Sequence, residues 1–271
     1  MTLPPSGQTT VAGIIGQPVR HSLSPAIHNA AYAALGLDWV YVAFPVAPGT
    51  VREALVGLQA AGVAGCNVTM PHKTEAARAC DELTPAAAAL HAANTVVLGD
   101  GPRLGDSTDG DGFVDAARDA GVDLAARVLV LGAGGAARAI VQALGGTGSQ
   151  VTVAARHADA AAAAAALAPS ARTLPFDQLD DAASTSDVVV NATPLGMCGE
   201  APPFEPTRLH AGQVVIDTVY APPETPLLAA AAARGAQTLN GFGMLVHQAA
   251  RSFTRLTGQP APLDVMRAAV R

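Results

Sequence analysis

Short runs of β-branched and aliphatic residues alternate along this chain with alanine- and leucine-rich stretches at helical spacing. VAGIIG (11–16), VYVAFPV (40–46) and AGCNVTM (64–70) read as strands. Helices are expected near 24–36, 49–62 and 72–80. NTVVLGDGPRLGDST (94–108) predicts a hairpin turning at Gly99-Asp100-Gly101. The next stretch, 111–121, reads as a helix that ends at a glycine.

A second alternating series starts at RVLVLGAGGAARAIVQALGG (127–146). Strands are expected at 150–155, 187–193, 213–220 and 236–240. Helices lie between them, at the alanine run 158–168 and at 225–235, where Thr225-Pro226 gives a cap followed by proline. Two further helices, 242–257 and 262–270, close the chain. Alternating strands and helices imply parallel sheets covered on both faces. Two such series predict two α/β domains joined by helical crossovers, with a cleft between. One is expected over 1–109 with 242–271, the other over 110–241.

With 271 residues, half of them hydrophobic, there is ample material for two cores. A net charge of -6 and few aromatic residues disfavour nucleic acid as a partner. MTLPPSGQTT has neither the basic start nor the apolar core of a signal peptide, and no run reads as a membrane span. Cys66, Cys80 and Cys198 have no metal-like spacing and are expected to be buried, inert thiols in a reducing cytoplasm. The histidines are scattered, so no metal site is expected.

The most specific local pattern is VLVLGAGGAARAIVQAL, a strand, a glycine turn and a helix. Gly132, Gly134 and Ala137 occupy the small positions of a dinucleotide-binding turn. The backbone from Gly132 through Ala133, Gly134 and Gly135 to Ala136 would face a pyrophosphate at the helix start. A plain tight turn without ligand shares the spacing. At the next strand tip an NAD site needs an acid for the ribose hydroxyl. Here the tip carries Arg156, and a guanidinium suits a 2′-phosphate. The expected cofactor is therefore NADP, ahead of NAD.

RHSLSPAIHNAA (20–31) sets two hydroxyls, Ser22 and Ser24, at a helix start. Ser24 before Pro25 reads as an N-cap, and the same helix start suits an anion. NVTMPHK (67–73) places Pro71 in a first helical turn with Lys73 behind it. The helix dipole disfavours a cation there, so Lys73 is a candidate acid–base group, although an exposed lysine near Glu75 has the same pattern. Asp109 follows a strand between the domains, as a helix cap or as a carboxylate facing the cleft.

Together SLSP, NVTMPHK, ANTVV, GDSTDGDGF, GAGGAAR, NATPLGM, DTVY and GFGMLVHQA, in this order over essentially the whole chain, resemble the shikimate dehydrogenase family. The resemblance implies an N-terminal α/β substrate domain, a C-terminal Rossmann domain, and NADPH-dependent reduction of 3-dehydroshikimate to shikimate on the route to chorismate and aromatic amino acids. It gives Ser22 and Ser24 to the substrate carboxylate and Thr69 to a ring hydroxyl. Lys73 becomes the acid–base group with Asp109 as its partner. Asn94 and Asp109 hold the reacting hydroxyl, and Tyr220 and Gln248 touch substrate. Thr218 and Gly241 approach the nicotinamide. The implied enzyme is cytoplasmic, a monomer or homodimer.

Many members carry N-R-T-x-x-R after the second Rossmann strand; this chain has ARHADA, which keeps Arg156 and loses the other polar residues. Quinate and aminoshikimate dehydrogenases share most of these motifs, and a non-catalytic metabolite sensor shares the fold.

Overall fold

The computed structural model describes residues 4–270. The chain divides into two compact units, 1–108 with 246–271, and 109–245. The second junction falls inside a helix at 245/246 rather than before it at 241/242, because that helix runs unbroken from Phe242.

The first unit contains β1 (Thr10–Gly16), α1 (Ser24–Ala34), β2 (Trp39–Pro45), α2 (Val51–Ala60), β3 (Gly65–Val68), α3 (Lys73–Ala79), β4 (Glu82–Leu83), α4 (Pro85–Leu90), β5 (Thr95–Val97) and β6 (Leu104–Asp106). Its sheet has the order β2-β1-β3-β5-β6-β4. β1 runs parallel to both β2 and β3, and its centre is fully buried, as a strand covered on both faces should be. The expectation of a wholly parallel sheet fails here: β5 is antiparallel to β3 and β6. The hairpin spans too few residues for a crossover, so it must reverse direction. The hydrophobic pattern does not announce β4 and α4. Yet Thr84-Pro85 starts α4 just as Thr225-Pro226 starts a later helix, with the Thr84 hydroxyl accepting the Ala87 N–H at 3.3 Å.

The second unit contains α5 (Asp109–Asp119), β7 (Arg127–Leu131), α6 (Gly135–Leu144), β8 (Gln150–Ala154), α7 (Ala158–Ala165), β9 (Arg172–Thr173), α8 (Leu179–Thr185), β10 (Val188–Asn191), β11 (Val214–Asp217), α9 (Pro226–Ala233) and β12 (Gln237–Leu239). The sheet order is β12-β11-β10-β7-β8-β9, and every pairing is parallel. Numbered within the unit this is 3-2-1-4-5-6, the doubly wound order, with its switch point between β7 and β10. Valine and leucine from successive strand positions enter two cores, one on each face. α10 (Phe242–Thr257) then carries the chain back to the first unit, and α11 (Leu263–Ala268) packs on α1. No helix among the described residues is long and apolar enough to cross a membrane.

Cys66 is buried as expected, and burial pushes its thiol up to about 12. Cys80 is partly buried and raised to about 11 by the same cause. Cys198 departs from the expectation and is exposed, because it lies in the loop after β10.

His28 on α1 is completely buried, stacked on Tyr41 with ring centroids 4.2 Å apart and near Tyr32 and Phe253. Neither ring nitrogen has a hydrogen-bond partner among the described residues. Burial lowers its pKa from 6.5 to about 3. The unfolded chain therefore binds one more proton between those values, and stability falls as pH drops below about 6.5. Going from pH 7 to pH 5 should cost about 2 kcal/mol through this group. Urea unfolding of the wild type and His28→Phe at both pH values checks it. The variant should lose about 2 kcal/mol less than the wild type, and equal losses would refute the account.

Candidate functional site

In the second unit the sequence builds a bare helix start. β7 ends at Leu131, and Gly132 turns the chain with φ +108°, donating its N–H to the Ala154 carbonyl at 2.8 Å. A side chain at Gly132 would meet the Ala192 carbonyl and Thr193, so glycine is required on both counts. Gly134 then caps α6, and a β-carbon on Gly134 or Gly135 would meet nothing within 4 Å. Ala137 is fully buried where the helix packs on the sheet.

A cavity of about 770 Å³ opens at this end of the strands, lined among others by Gly132, Gly134, Arg156, Phe176, Thr193 and Leu195. Its size suits a small-molecule or cofactor site. Arg156 is exposed on its wall, two residues past the end of β8. Asp159 is not on the wall; it lies in the first turn of α7. Exposed helix N–H groups, a guanidinium and no carboxylate at the strand tip fit a dinucleotide with a 2′-phosphate.

The opposite wall is held by buried polar groups. Asn191 donates from Nδ2 to the Leu195 carbonyl (3.0 Å) and Asp217 Oδ1 (2.9 Å), and its Oδ1 accepts from the Thr193 N–H and hydroxyl. Asp217 also accepts from the Thr225 hydroxyl at 2.7 Å. Burial pushes its carboxyl above the usual range, while these hydrogen bonds oppose the shift. Glu200 accepts the Gly196 and Cys198 N–H groups at 2.9 and 3.0 Å, which closes the loop. Thr218 and Gly241 are brought together: any side chain at 241 would run into the Thr218 carbonyl. Tyr220 lies in the loop after β11, its ring 5.5 Å from that of Phe242.

In the first unit the candidate residues gather beyond the ends of β1 and β3. The loop after β1 is tied to the loop after β3 by the Gln17 N–H on the Met70 carbonyl, 3.2 Å. Ser24 is not a side-chain cap; the Ser22 hydroxyl instead accepts the Ser24 N–H at 3.2 Å. The Ser24 hydroxyl sits on a residue 6% exposed, without a hydrogen bond among the described residues. Arg20 and His21 are exposed.

Pro71 is also placed differently. It follows a cis bond in a turn that the His72 N–H closes on the Thr69 carbonyl at 3.0 Å, so α3 starts at Lys73. The His72 ring is buried, with Nε2 2.8 Å from the Val46 carbonyl. Lys73 is thus the first helical residue. Its carbonyl accepts the Ala93 N–H at 2.9 Å.

Asn94, next in the chain, grips Thr108. Its Nδ2 donates to the Thr108 hydroxyl at 2.9 Å, and its Oδ1 accepts the Thr108 N–H at 2.9 Å. Thr108 donates in turn to the Gln248 carbonyl of α10 at 3.1 Å. The following residue is Asp109, which opens α5 in the second unit as its first helical residue rather than as a preceding cap. Thr69, Lys73, Asn94 and Gln248 are therefore held by one connected backbone and side-chain framework within the first unit.

Comparison with known proteins finds matches in both units. A family model described as the shikimate dehydrogenase substrate binding domain matches residues 14–96, and one described as the shikimate 5'-dehydrogenase C-terminal domain matches 241–271. A model for coenzyme F420-dependent NADP oxidoreductases matches 127–221. The chain is 45% identical over 270 residues to a shikimate dehydrogenase (NADP(+)) of Anaeromyxobacter dehalogenans, covering 97% of this chain and 96% of the relative. Among solved structures, the shikimate 5-dehydrogenase of Listeria monocytogenes with shikimate and NAD superposes with a TM-score of 0.93 at 36% identity, covering 100% and 99% of the two chains. That of Thermus thermophilus with NADP(H) and shikimate gives 0.89 at 34%, covering 96% and 98%.

Several residues that frame the site carry no signal of their own in the sequence. Thr193 and Leu195 sit in a motif quoted above without a role. Thr95 and Ser252 read as ordinary polar positions, yet both are fully buried. Asn67 Nδ2 donates to Ser252 at 2.8 Å and to Thr95 at 3.0 Å, and the Tyr41 hydroxyl donates to Asn67 Oδ1 at 2.7 Å. Ser252 also lies 3.1 Å from the Thr108 hydroxyl, so it joins α10 to the grip on Asn94. Ser252→Ala should remove one of the three acceptors around the Asn67 amide, together with the hydroxyl's contacts to Thr95 and Thr108, and cost about 1 kcal/mol. A urea midpoint unchanged by the substitution would show the hydroxyl to be dispensable.

Proposed function

The chain belongs to the shikimate dehydrogenase family, and we propose that it catalyses the reversible reduction of 3-dehydroshikimate to shikimate with NADPH. The observation that carries this reading is the presence of two complementary constructions in one chain. One is the bare α6 start with Arg156 on the cavity wall. The other is the hydroxyl, lysine and amide set at the ends of β1 and β3.

NADPH, when bound, supplies a hydride to the carbonyl carbon of the substrate. Gly132, Ala133, Gly134, Gly135 and Ala136 would hold its pyrophosphate with backbone donors, Arg156 its 2′-phosphate, and Thr218 and Gly241 would border its nicotinamide. Ser22 and Ser24 hydroxyls orient the substrate carboxylate. The Ser24 hydroxyl makes no hydrogen bond to the rest of the described chain, which leaves it available. Thr69, Asn94, Tyr220 and Gln248 contact the ring and its hydroxyl groups.

As hydride reaches carbon, the carbonyl π pair moves to oxygen, and that oxygen takes a proton from the Lys73 ammonium. In the oxidative direction the Lys73 amine accepts the proton. Asp109 is the carboxylate partner of the acid–base pair. The balance is ketone, NADPH and one proton giving alcohol and NADP⁺, so no metal is needed. The same reading makes the protein a cytoplasmic enzyme of the route to chorismate and aromatic amino acids, working as a monomer or homodimer.

Purified protein with shikimate or quinate and with NADP⁺ or NAD⁺, followed by reduced-nicotinamide absorbance, tests the reading. Shikimate with NADP⁺ should lead in kcat/KM by tenfold or more, about 1.4 kcal/mol in the transition state. A lead for quinate or NAD⁺ would overturn the substrate or the cofactor assignment. Lys73→Ala should lower kcat by about two to four orders of magnitude; near-normal turnover would remove it from the acid–base role. Arg156→Ala should reduce kcat/KM with NADP⁺ by about tenfold or more and leave NAD⁺ nearly unaffected.

A further inference from the structure

The departure at ARHADA leaves the adenosine end of the cofactor site short of polar residues, and two neighbours on the cavity wall stand in their place. This rests on the NADP reading above. Phe176 is the one aromatic residue among the exposed large hydrophobic side chains of the described chain, 40% exposed. It lines the 770 Å³ cavity together with Arg156, His157 and Ala160. Its place is set by local structure. Leu174, leaving β9, donates its N–H to the Val153 carbonyl of β8 at 3.0 Å. The chain then turns at Pro175 into a single 3-10 turn, Phe176–Gln178. The ring therefore stands beside the continuation of β8, which is Ala155-Arg156-His157.

A phenylalanine recruited for the core would be buried, as Phe113 and Phe204 of the same unit are. An apolar ring left open on a cavity wall beside a guanidinium suits the flat face of a purine base. His157 stands at the N-cap position of α7, exposed, and makes no side-chain cap bond. Its imidazole lines the same wall as Arg156 and can donate a hydrogen bond to a phosphate oxygen. Glu200 is the carboxylate on this cavity's lining, and it is engaged with the Gly196 and Cys198 N–H groups.

We propose that Phe176 is the platform for the adenine ring and His157 the second donor to the 2′-phosphate, so that base and phosphate are read by separate side chains. The two roles separate on fragments that lack the nicotinamide. Calorimetric binding of 2′,5′-ADP and 5′-ADP is measured for the wild type, Phe176→Ala, Phe176→Trp and His157→Ala. Phe176→Ala should weaken both fragments alike, by about tenfold, and Phe176→Trp should restore them. His157→Ala should weaken 2′,5′-ADP by about fivefold and leave 5′-ADP unchanged. Wild-type affinity in Phe176→Ala would overturn the platform. Equal effects on the two fragments in His157→Ala, or none, would overturn the phosphate role. A wild type that binds neither fragment would overturn the NADP reading itself, which is a distinguishable failure.

Discussion

Asn94 holds Thr108 at two points, and the first unit is organised around that clamp. The side-chain amide takes both the N–H and the hydroxyl of Thr108. The Asn94 carbonyl accepts the Val68 N–H at 2.7 Å, and Asn94 itself donates its N–H to the Asp106 carbonyl. One residue thereby joins β3, β6 and the segment leading out of the unit. Lys73 is held through Ala93, and Asp109 follows Thr108 in the chain. Lys73 and Thr108, far apart in sequence, thus hang from one buried polar framework within the first unit. Such a framework is costly to leave half-made, since each buried donor without a partner loses its hydration without return. Full satisfaction makes it rigid, and rigidity is what an acid–base group needs to meet a reacting oxygen.

The same economy appears at both sheets. Parallel strands end together, and their ends leave backbone groups and loop side chains concentrated on one edge. In the second unit, the edge is kept open by glycine: the turn at Gly132 passes against Ala192 and Thr193, and α6 has no side chain at its cap, Gly134, or at its first residue, Gly135. In the first unit, the edge is filled by hydroxyls and amides instead. The reason lies in the partners proposed. A pyrophosphate is met best by backbone N–H groups and a helix dipole. A small hydroxylated acid needs side chains that reach each oxygen.

Much of this is legible in the sequence because it depends on local chemistry. The alternation of strands and helices predicts the second unit's parallel sheet, and the glycine turn with Arg156 beyond it predicts the phosphate end. The rest depends on distance along the chain. Ser252 reaches Asn67 across 185 residues, and nothing in FTRLT or HQAARS distinguishes a buried serine from a surface one. Ser22 and Ser24 both stand out in the sequence, but only the folded backbone decides which hydroxyl takes an N–H and which remains over. Pro71 misleads because proline signals a first helical turn and a tight turn equally well. The first sheet's mixed direction follows from a hairpin that the sequence does predict, so a wholly parallel sheet is the wrong conclusion from the right element.

The cofactor end shows how an absence becomes informative once the geometry is known. A strand-tip acid would bond the ribose hydroxyls of NAD and repel a 2′-phosphate at close range. Removing the acid alone would only make the site indifferent. Preference needs a group that gains from the extra charge, and a guanidinium gains through both charge and a planar set of donors. The family's usual cluster supplies several such groups, whereas this chain keeps Arg156 and surrounds it with Ala155, Ala160, His157 and an open phenyl ring. Apolar contact does not distinguish a phosphorylated ribose from a plain one, so affinity gained on Phe176 is shared by both cofactors. Selectivity therefore rests on the few charged or donating atoms that remain, and a site of this kind binds the base broadly while choosing the phosphate narrowly.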